Sequence, residues 1–331
     1  MGGMAPAASK GSPPPGNGQG LAMDPNGTPF SRTLDGGVCT DCTVLAAAID
    51  IVFANGSRAD IANGVYLHHL VAQTMGNSTG KGKGSWVDAC PRAGITTSAG
   101  GVQAPSALAG LLGGVDLGSV ASGGAFVGGA VDAFVDWFTA PDGSVRSGYF
   151  IPAGSWGFMS GEVINYLREE QTVYVQLDIE WVKGKYGRDA IKSPLNVEGC
   201  DFTHSAFKNG GDRGKITSAD FTVSRDVTVI CQRAHMHDGG EAVTAFVNGK
   251  PICTSQATYG SAGAELIVNG KAWKTISKMS DCLDPVELKK GDKIRLEATY
   301  DNVAHPLRES GHEQQGNMAF MTFTVVPKDG I

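Results

Sequence analysis

The chain has 331 residues, enough for two ordinary domains, and its formal net charge of −6 without any basic cluster argues against nucleic acid as a partner. Glycine is abundant, at 47 residues, and charged residues make up only 18%, a composition that suits many short strands joined by tight turns. No apolar stretch is long enough to span a bilayer, so no membrane span is expected.

Residues 1–30 are predicted to form a disordered tail, because the chain begins with a segment rich in glycine, proline, serine and alanine. A beginning of this kind is typical of a processed or engineered N-terminus. Strands are predicted within 39–54 and 65–72. The segment 94–129 is almost free of charge and indicates a surface insertion, with a helical piece possible around 125–138.

From residue 149 onward the pattern favours strands. The stretch 172–182 alternates apolar and polar residues, as expected of a strand with one face against a core. Further strands are predicted at 220–223, 227–237, 242–247, 264–268, 271–276, 293–300 and 319–326, with hairpin turns at Asn248-Gly249 and Asn269-Gly270. Strands this frequent predict an all-β protein with an antiparallel sandwich, and a domain boundary is expected near residue 196.

Seven cysteines and three glycosylation sequons, at Asn26, Asn55 and Asn77, favour a secreted, disulfide-bonded glycoprotein. The odd count leaves one thiol free or paired outside the chain, and the four cysteines of the second half leave three pairings open. Cys39 and Cys42 have CxxC spacing. Without a second CxxC, neither a zinc site nor a redox role is expected there.

His235 and His237 are two residues apart on the predicted strand 227–237, so both imidazoles lie on one face of it. Met318, in the strand-like run 316–323, is a further candidate ligand. Two imidazoles and a thioether favour copper, and an open position on such an ion is a place for oxygen. The plainer alternatives are a solvated polar face for the histidines and a core gap-filling role for the methionine.

His68 and His69 form a second candidate metal site. Adjacent residues on a regular strand point to opposite sides, so joint binding requires a twist, a bulge or a strand end. Otherwise one histidine faces the core and the other the surface. Asp178, on the non-core face of strand 172–182, is the candidate third ligand.

These residues resemble the type II copper, ascorbate-dependent monooxygenases, which include peptidylglycine α-hydroxylating monooxygenase and dopamine β-monooxygenase. The histidine-x-histidine strand of that family, followed by a glycine, is similar to the run from His235 to Gly239. Its later stretch ending in glycine and aspartate is similar to 284–296, and its methionine-ligand strand is similar to the run that contains Met318. The similarity covers most of the chain after the tail and is firmest over 227–326.

The resemblance implies two antiparallel β-sandwich, jelly-roll-like domains in tandem, 31–195 and 196–331, with one copper ion in each, facing a solvent cleft. His235, His237 and Met318 would form the catalytic site. His68 and His69 would hold the electron-relaying copper, with Asp178 in place of the family's third histidine.

The resemblance also points to residues that contact the substrate. Arg233 matches an arginine of the peptidylglycine enzymes, but Phe320 and Thr322 stand where those enzymes carry asparagine and tyrosine. A substrate more apolar than a peptide carboxylate, or different from it, is therefore expected. Arg233 and Asp238 are candidates to orient ligands or substrate.

The implied function is that of a secreted copper-dependent monooxygenase. It would hydroxylate a C–H bond of a small-molecule or peptide substrate with O₂ and a one-electron donor such as ascorbate. Two alternatives remain open. A non-catalytic copper-binding or interaction protein of the same fold is favoured by the Asp178 replacement, and a carbohydrate-binding sandwich by the low charge and secretion.

Overall fold

The computed structural model describes residues 2–4, 27–34, 38–75, 86–88, 97–98, 101–102, 125–132, 135–167, 169–198, 212–260, 266–268, 271–310, 313–314 and 316–329. The strands of the first part of the chain are β1 Gly2–Met4, β2 Thr28–Leu34, β3 Cys42–Val52, β4 Val65–Met75, β5 Thr97–Ser98, β6 Gly101–Val102, β7 Ala125–Gly129, β8 Asp136–Trp137, β9 Ser147–Ile151, β10 Trp156–Asn165, β11 Gln171–Lys183 and β12 Arg188–Asp189. Among the described residues the one helix is a single 3-10 turn, Ile61–Asn63, and no helix is long and apolar enough to cross a membrane.

Two sheets form the first half. One has the order β1-β11-β3-β9-β12, with β8 also paired to β3, and the other has the order β2-β10-β4-β7. Their apolar faces meet in one core, to which β3 contributes Val44 and Ile49, β4 contributes Leu70, and Phe126 and Tyr149 supply large rings. The β-branched and aromatic residues at alternate positions account for these strands, since such side chains pack well on a pleated surface.

The second half repeats this layout. Its strands are β13 Ile191–Asn196, β14 Arg213–Thr217, β15 Phe221–Thr222, β16 Val227–Met236, β17 Gly240–Val247, β18 Lys250–Tyr259, β19 Leu266–Val268, β20 Lys271–Trp273, β21 Ile276–Met279, β22 Val286–Leu288, β23 Lys293–Asp301, β24 Glu309–Ser310, β25 Glu313–Gln314 and β26 Ala319–Pro327. A sheet β13-β26-β16-β22 faces a sheet β14-β23-β17-β18-β21, in which β15 also pairs with β23. Residues of both sheets, such as Val229, Phe323 and Leu296, share the second core.

Strand β16 is covered on both faces, which is why nearly all of its residues are buried. Ala234 and Met236 pack in the second core. The pairing of β16 with β26 shifts at Ile230, so this residue points the other way and packs in the first core together with Val326. The first and second halves therefore meet along the outer face of β16, the strand that carries His235.

The all-β prediction is confirmed, and so is the turn at Asn248-Gly249, where both residues have positive φ between β17 and β18. The helical piece expected around 125–138 is wrong. The described part of that segment forms β7 and β8 instead, because both pair with neighbouring strands. β12 pairs with β9 of the first half, whereas β13 pairs with β26 of the second. Sheet partners therefore change near residue 190. Within the segment expected to be a disordered tail, Gly2–Met4 forms β1, which pairs with β11.

Two disulfides are present among the described cysteines, Cys39–Cys42 and Cys253–Cys282. Cys231 is a free, buried thiol, so it forms none of the second-half pairings left open by the sequence. Cys90, Cys200, the Asn269-Gly270 turn and most of the 94–129 insertion lie outside the described residues.

Candidate metal centre

A bulge in strand β4 brings the two adjacent histidines to one side of the sheet. Along β10, Glu162 pairs with His69 and Val163 pairs with Leu67, so the register shifts and His68 is the residue inserted at the bulge. An extra residue re-aims the side chains around it and breaks the alternation of the strand. The rings of His68 and His69 consequently lie with centroids 5.3 Å apart. The sequence required such a bulge for joint metal binding, and the structure supplies it.

Glu162 is the carboxylate that accompanies this pair. Ligand atoms of His68, His69 and Glu162 all lie within 4.8 Å of one another, and Glu162 Oε2 is 3.6 Å from His68 Nδ1. Glu162 is only 1% exposed. Its neighbour Gly161 allows the close approach of β10 to β4, because a Cβ there would lie 2.7 Å from the His69 carbonyl oxygen.

Asp178, the predicted third ligand, is not part of this group. It lies on β11 in the other sheet of the first half, is exposed, and accepts a hydrogen bond of 2.8 Å from the Gln176 side chain. The carboxylate beside the two histidines in the structure is therefore Glu162 and not Asp178. The available signal was Glu162 as the one charged residue of a largely apolar strand, where a buried charge requires a partner.

His235 and His237 point from β16 towards the first half, opposite to Ala234 and Met236 in the second core. Their ring centroids are 6.0 Å apart. The His237 Nδ1 atom donates a hydrogen bond of 2.9 Å to the Gly316 carbonyl oxygen, so Nε2 is the ring nitrogen that would serve as a metal ligand. A tight turn follows, in which the Gly240 amide donates to the His237 carbonyl and Gly239 has φ of +90°.

The histidine pairs of the two halves form one cluster. The His68 and His237 ring centroids are 5.8 Å apart across the interface between the halves. The pKa of His69 is lowered to about 4. Burial is the largest cause, His68 and His235 act in the same direction, and Glu162 opposes them. Burial, together with His68 and His235, also lowers the pKa of His237 well below its ordinary value. Both imidazoles are therefore neutral near pH 7, the state that binds a metal ion.

Met318 lies directly opposite His237. The His237 amide donates a hydrogen bond of 3.0 Å to the Met318 carbonyl, and the β16–β26 pairing continues from there. Paired residues of adjacent strands share a face, so the half-buried Met318 side chain is on the histidine side. Phe320 pairs with His235, and their ring centroids are 5.1 Å apart.

Thr322 pairs with Arg233, and Arg233 lies at the interface between the two halves. Arg233 is only 4% exposed. Its guanidinium donates to Asp281 at 2.9 Å and to the Val135 carbonyl at 3.2 Å, and it lies 3.3 Å from Asp136. These contacts hold β16 against the first half.

Asp238 supports the segment behind His237. Its carboxylate accepts hydrogen bonds from Trp273 Nε1 at 2.9 Å, Thr275 Oγ1 at 3.0 Å and the Ile276 amide at 3.2 Å. Burial raises the pKa of Asp238 to about 6, against the effect of these hydrogen bonds. Asp238 thereby fixes the chain that follows the metal-ligand candidate His237. His305, by contrast, stacks on Tyr259 with ring centroids 3.6 Å apart, and His204 and His312 lie outside the described residues.

A third buried carboxylate, Asp132, was not foreseen from the sequence. Its Oδ1 atom lies 3.6 Å from His235 Nδ1. The whole donor set is thus imidazole nitrogen with carboxylate oxygen, and a thioether lies on the same face. Imidazole suits copper, and the soft sulfur favours Cu(I), so these residues fit a copper ion.

The fold and the site define an all-β protein with a cluster of histidines and carboxylates, of a kind that suits a metal ion, between its two pairs of sheets. Comparison with known proteins agrees with this class. The family model described as "Stress up-regulated Nod 19" matches residues 167–322, just under half of the chain.

Two fungal proteins are similar over most of the chain. The "Probable copper-dependent oxygenase M1" of Phoma sp. (strain ATCC 20986 / MF5453) is 23% identical over 270 residues, which cover 81% of this chain and 59% of that protein. The "Probable copper-dependent oxygenase clz3" of Cochliobolus lunatus is 24% identical over 259 residues, covering 77% of this chain and 70% of that protein. The match thus spans less than two thirds of the length of the Phoma protein.

Among solved structures, the coconut allergen cocosin has a TM-score of 0.13 and 6% identity over 92% of this chain and 78% of its own, which supports no comparison of folds. The chain is therefore similar to proteins named as copper-dependent oxygenases. The more specific resemblance to the peptidylglycine and dopamine enzymes stays a prediction.

Proposed function

We propose that this protein is a secreted copper-dependent monooxygenase that hydroxylates a C–H bond with O₂ and an external one-electron donor such as ascorbate. The balanced reaction is R–H + O₂ + 2e⁻ + 2H⁺ → R–OH + H₂O, with two donor molecules each giving one electron. The observation that carries the proposal is the convergence of His68, His69, His235 and His237 with Glu162 at the interface of the two halves. The names of the two fungal relatives support it.

Copper bound there would supply the one-electron and oxygen chemistry that side chains lack. The histidines would hold it in their neutral form, and Met318 would favour the reduced ion. The hydrogen bond to Gly316 fixes the His237 ring, so that its Nε2 atom keeps one direction.

The substrate is proposed to be a small, largely apolar molecule. Phe320 lies beside His235 with ring centroids 5.1 Å apart and offers an apolar surface at the centre. Arg233 is engaged with Asp136 and Asp281, so it offers no exposed cation for a carboxylate. An apolar side chain at this place favours an apolar C–H donor over a charged peptide end.

The test is to load the protein with copper and measure both bound copper and ascorbate-driven oxygen uptake. His237→Ala should lose copper and uptake. Met318→Ala should lose most uptake and shift the copper potential to favour Cu(II), because the thioether is removed. Glu162→Gln should weaken copper binding by about 10–100-fold. Asp178→Asn, the matched control, should leave both readouts unchanged.

Unchanged uptake in His237→Ala and Met318→Ala would remove the proposed role. Copper binding with reversible reduction, but with no donor-driven uptake, would identify the non-catalytic copper-binding protein instead. Secretion is supported by the two disulfides and is checked separately by locating the protein in its native host.

A further inference from the structure

Asp132 is a buried carboxylate whose charge no described residue compensates by a hydrogen bond. It is 2% exposed, and neither of its oxygens accepts a hydrogen bond from the described part of the chain. A carboxylate buried in this state is costly unless a cation accompanies it. The His235 imidazole, which can bind a cation, has its Nδ1 atom 3.6 Å from Asp132 Oδ1.

The backbone that presents Asp132 is held firmly. Arg58 Nη2 donates to the Ala130 carbonyl at 3.1 Å and to the Val131 carbonyl at 2.8 Å, while its Nε is paired with Asp50. The arginine thus fixes the two residues that precede Asp132 and directs its charge to the carbonyls and to Asp50. The carboxylate is positioned by the fold and not by a partner of its own.

The two halves of the centre have the same composition and share one kind of close contact, although only the ligand atoms of His68, His69 and Glu162 all lie within 4.8 Å of one another. In the first half two histidines accompany Glu162, whose Oε2 is 3.6 Å from His68 Nδ1. In the second half two histidines accompany Asp132, whose Oδ1 is 3.6 Å from His235 Nδ1. Metal binding requires the neutral form of an imidazole, so each set of two ligand histidines and one carboxylate would contribute one negative charge, which a single Cu(I) would neutralise. One ion at one of the sets would leave the other carboxylate without compensation.

We propose that Asp132, His235 and His237 form a second cation site beside the site of His68, His69 and Glu162, so that one centre holds two copper ions as neighbours. The inference rests on the proposed function for the identity of the ion. It differs from the arrangement expected from the sequence, in which the two ions lie apart in separate sandwiches. Here the 5.8 Å between the His68 and His237 rings makes the two sites adjacent.

The experiment measures copper stoichiometry after dialysis by elemental analysis, together with the electron paramagnetic resonance spectrum of the Cu(II)-loaded protein. The wild type should hold two copper equivalents, with the signal broadened or lost through coupling of the two ions. Asp132→Asn should bind one of them about 10–100-fold more weakly and give the signal of an isolated Cu(II). Glu162→Gln should do the same through the other site, and Asp178→Asn should behave as the wild type.

A second readout separates a metal role from a structural one. If Asp132 serves a cation, Asp132→Asn should raise the melting temperature of the copper-free protein and reduce the increase produced by copper. If it only stabilises the fold, the copper-free variant should melt at a lower temperature. His235→Gln, on the other side of the same contact, should show the same loss of one equivalent, so the test does not depend on a single variant.

The proposal is overturned if the wild type saturates at one copper, or if Asp132→Asn retains two equivalents and the wild-type spectrum. Both readouts are made without turnover. Absence of oxygen uptake would therefore refute the proposed activity while leaving the two-ion centre intact, and the reverse result is equally distinguishable.

Discussion

Asp136 joins the first half of the molecule to two strands of the second, and its removal tests how the metal centre is assembled. The carboxylate is paired with Lys192 of β13 and lies 3.3 Å from Arg233 of β16, and it also accepts a hydrogen bond of 3.0 Å from the Gly128 amide. Asp136, Lys192 and Arg233 are 3%, 7% and 4% exposed, so this is a buried network. Asp136→Ala would remove its shared anion.

The expected loss follows from what each partner retains. Arg233 keeps its contact of 2.9 Å with Asp281, so its charge remains compensated. Lys192 loses the carboxylate that pairs with it, and breaking a buried pair on one side costs about 3–5 kcal/mol. The Gly128 amide loses its acceptor, which adds about 1 kcal/mol. Asp136→Ala should therefore lower the free energy of unfolding by about 4–6 kcal/mol.

Urea unfolding followed by circular dichroism measures this loss. The control is Asp142→Ala, an exposed carboxylate that accepts hydrogen bonds from Ser144 in its own turn and should cost under about 1 kcal/mol. A loss below about 1 kcal/mol in Asp136→Ala would refute the reasoning, because it would show that the buried lysine does not depend on this anion.

The pH dependence gives an independent check. Burial lowers the pKa of Lys192, and Asp136 opposes that effect. A lysine with a lowered pKa in the folded state contributes stability that is present above its unfolded pKa of about 10.4 and is lost as the pH falls below it. Without Asp136 the pKa of Lys192 should fall further. Raising the pH from 7 towards 10 should therefore recover part of the loss in Asp136→Ala, relative to the wild type, and an unchanged difference would contradict this explanation.

Three smaller predictions concern single features. Replacing Cys253 and Cys282 by alanine should cost about 3–4 kcal/mol, as expected for a bridge across a sequence separation of 29, measured by thermal or urea unfolding of the variant. Cys231 should resist alkylation in the folded protein and react after unfolding, since it is buried and burial raises its pKa to about 12; peptide mapping by mass spectrometry reads this out. Gly239→Ala should destabilise the turn after His237 by at least about 1 kcal/mol, because φ is +90° and a Cβ would lie 2.0 Å from the Asn302 side chain; weaker copper binding should accompany the lower melting temperature.

Much of the fold could be predicted from local patterns. Alternating apolar residues identified β11 and β23, and the positive φ tolerated by Asn248-Gly249 identified a hairpin. These signals are local, since strand alternation and turn chemistry depend on residues close in sequence. The prediction of a helical piece around 125–138 failed because it, too, rested on local sequence alone. The alanines, phenylalanines and glycines of this segment fit several structures, and pairing with distant strands decided the outcome.

Of the candidate site, the sequence predicted the histidines but neither the carboxylate beside them nor the convergence of the two pairs. The i, i+2 spacing of His235 and His237 is a local property, and it placed them on one face. The choice between Asp178 and Glu162 was not local. It depended on which sheet lies beside His69 and on a bulge at His68 that the sequence permits but does not signal. The convergence of the two pairs likewise required knowing that the outer face of β16 lies against the first half.

Because donor atoms come from both halves, metal binding and the interface between the halves are parts of one equilibrium. A ligand that binds only the folded, assembled protein stabilises it by about 2.7 kcal/mol at a concentration one hundred times its Kd. Linkage requires the reverse as well, so a change that loosens the interface between the halves must weaken metal binding. The contacts of Asp136 with Lys192, Arg233 and Gly128 include no histidine of the centre, yet Asp136→Ala releases β16, which carries His235. It should therefore raise the copper Kd, whereas Asp142→Ala should leave it unchanged. Competition titration against a chelator of known affinity measures both, and equal Kd values for the two variants would show that each half binds copper without the other.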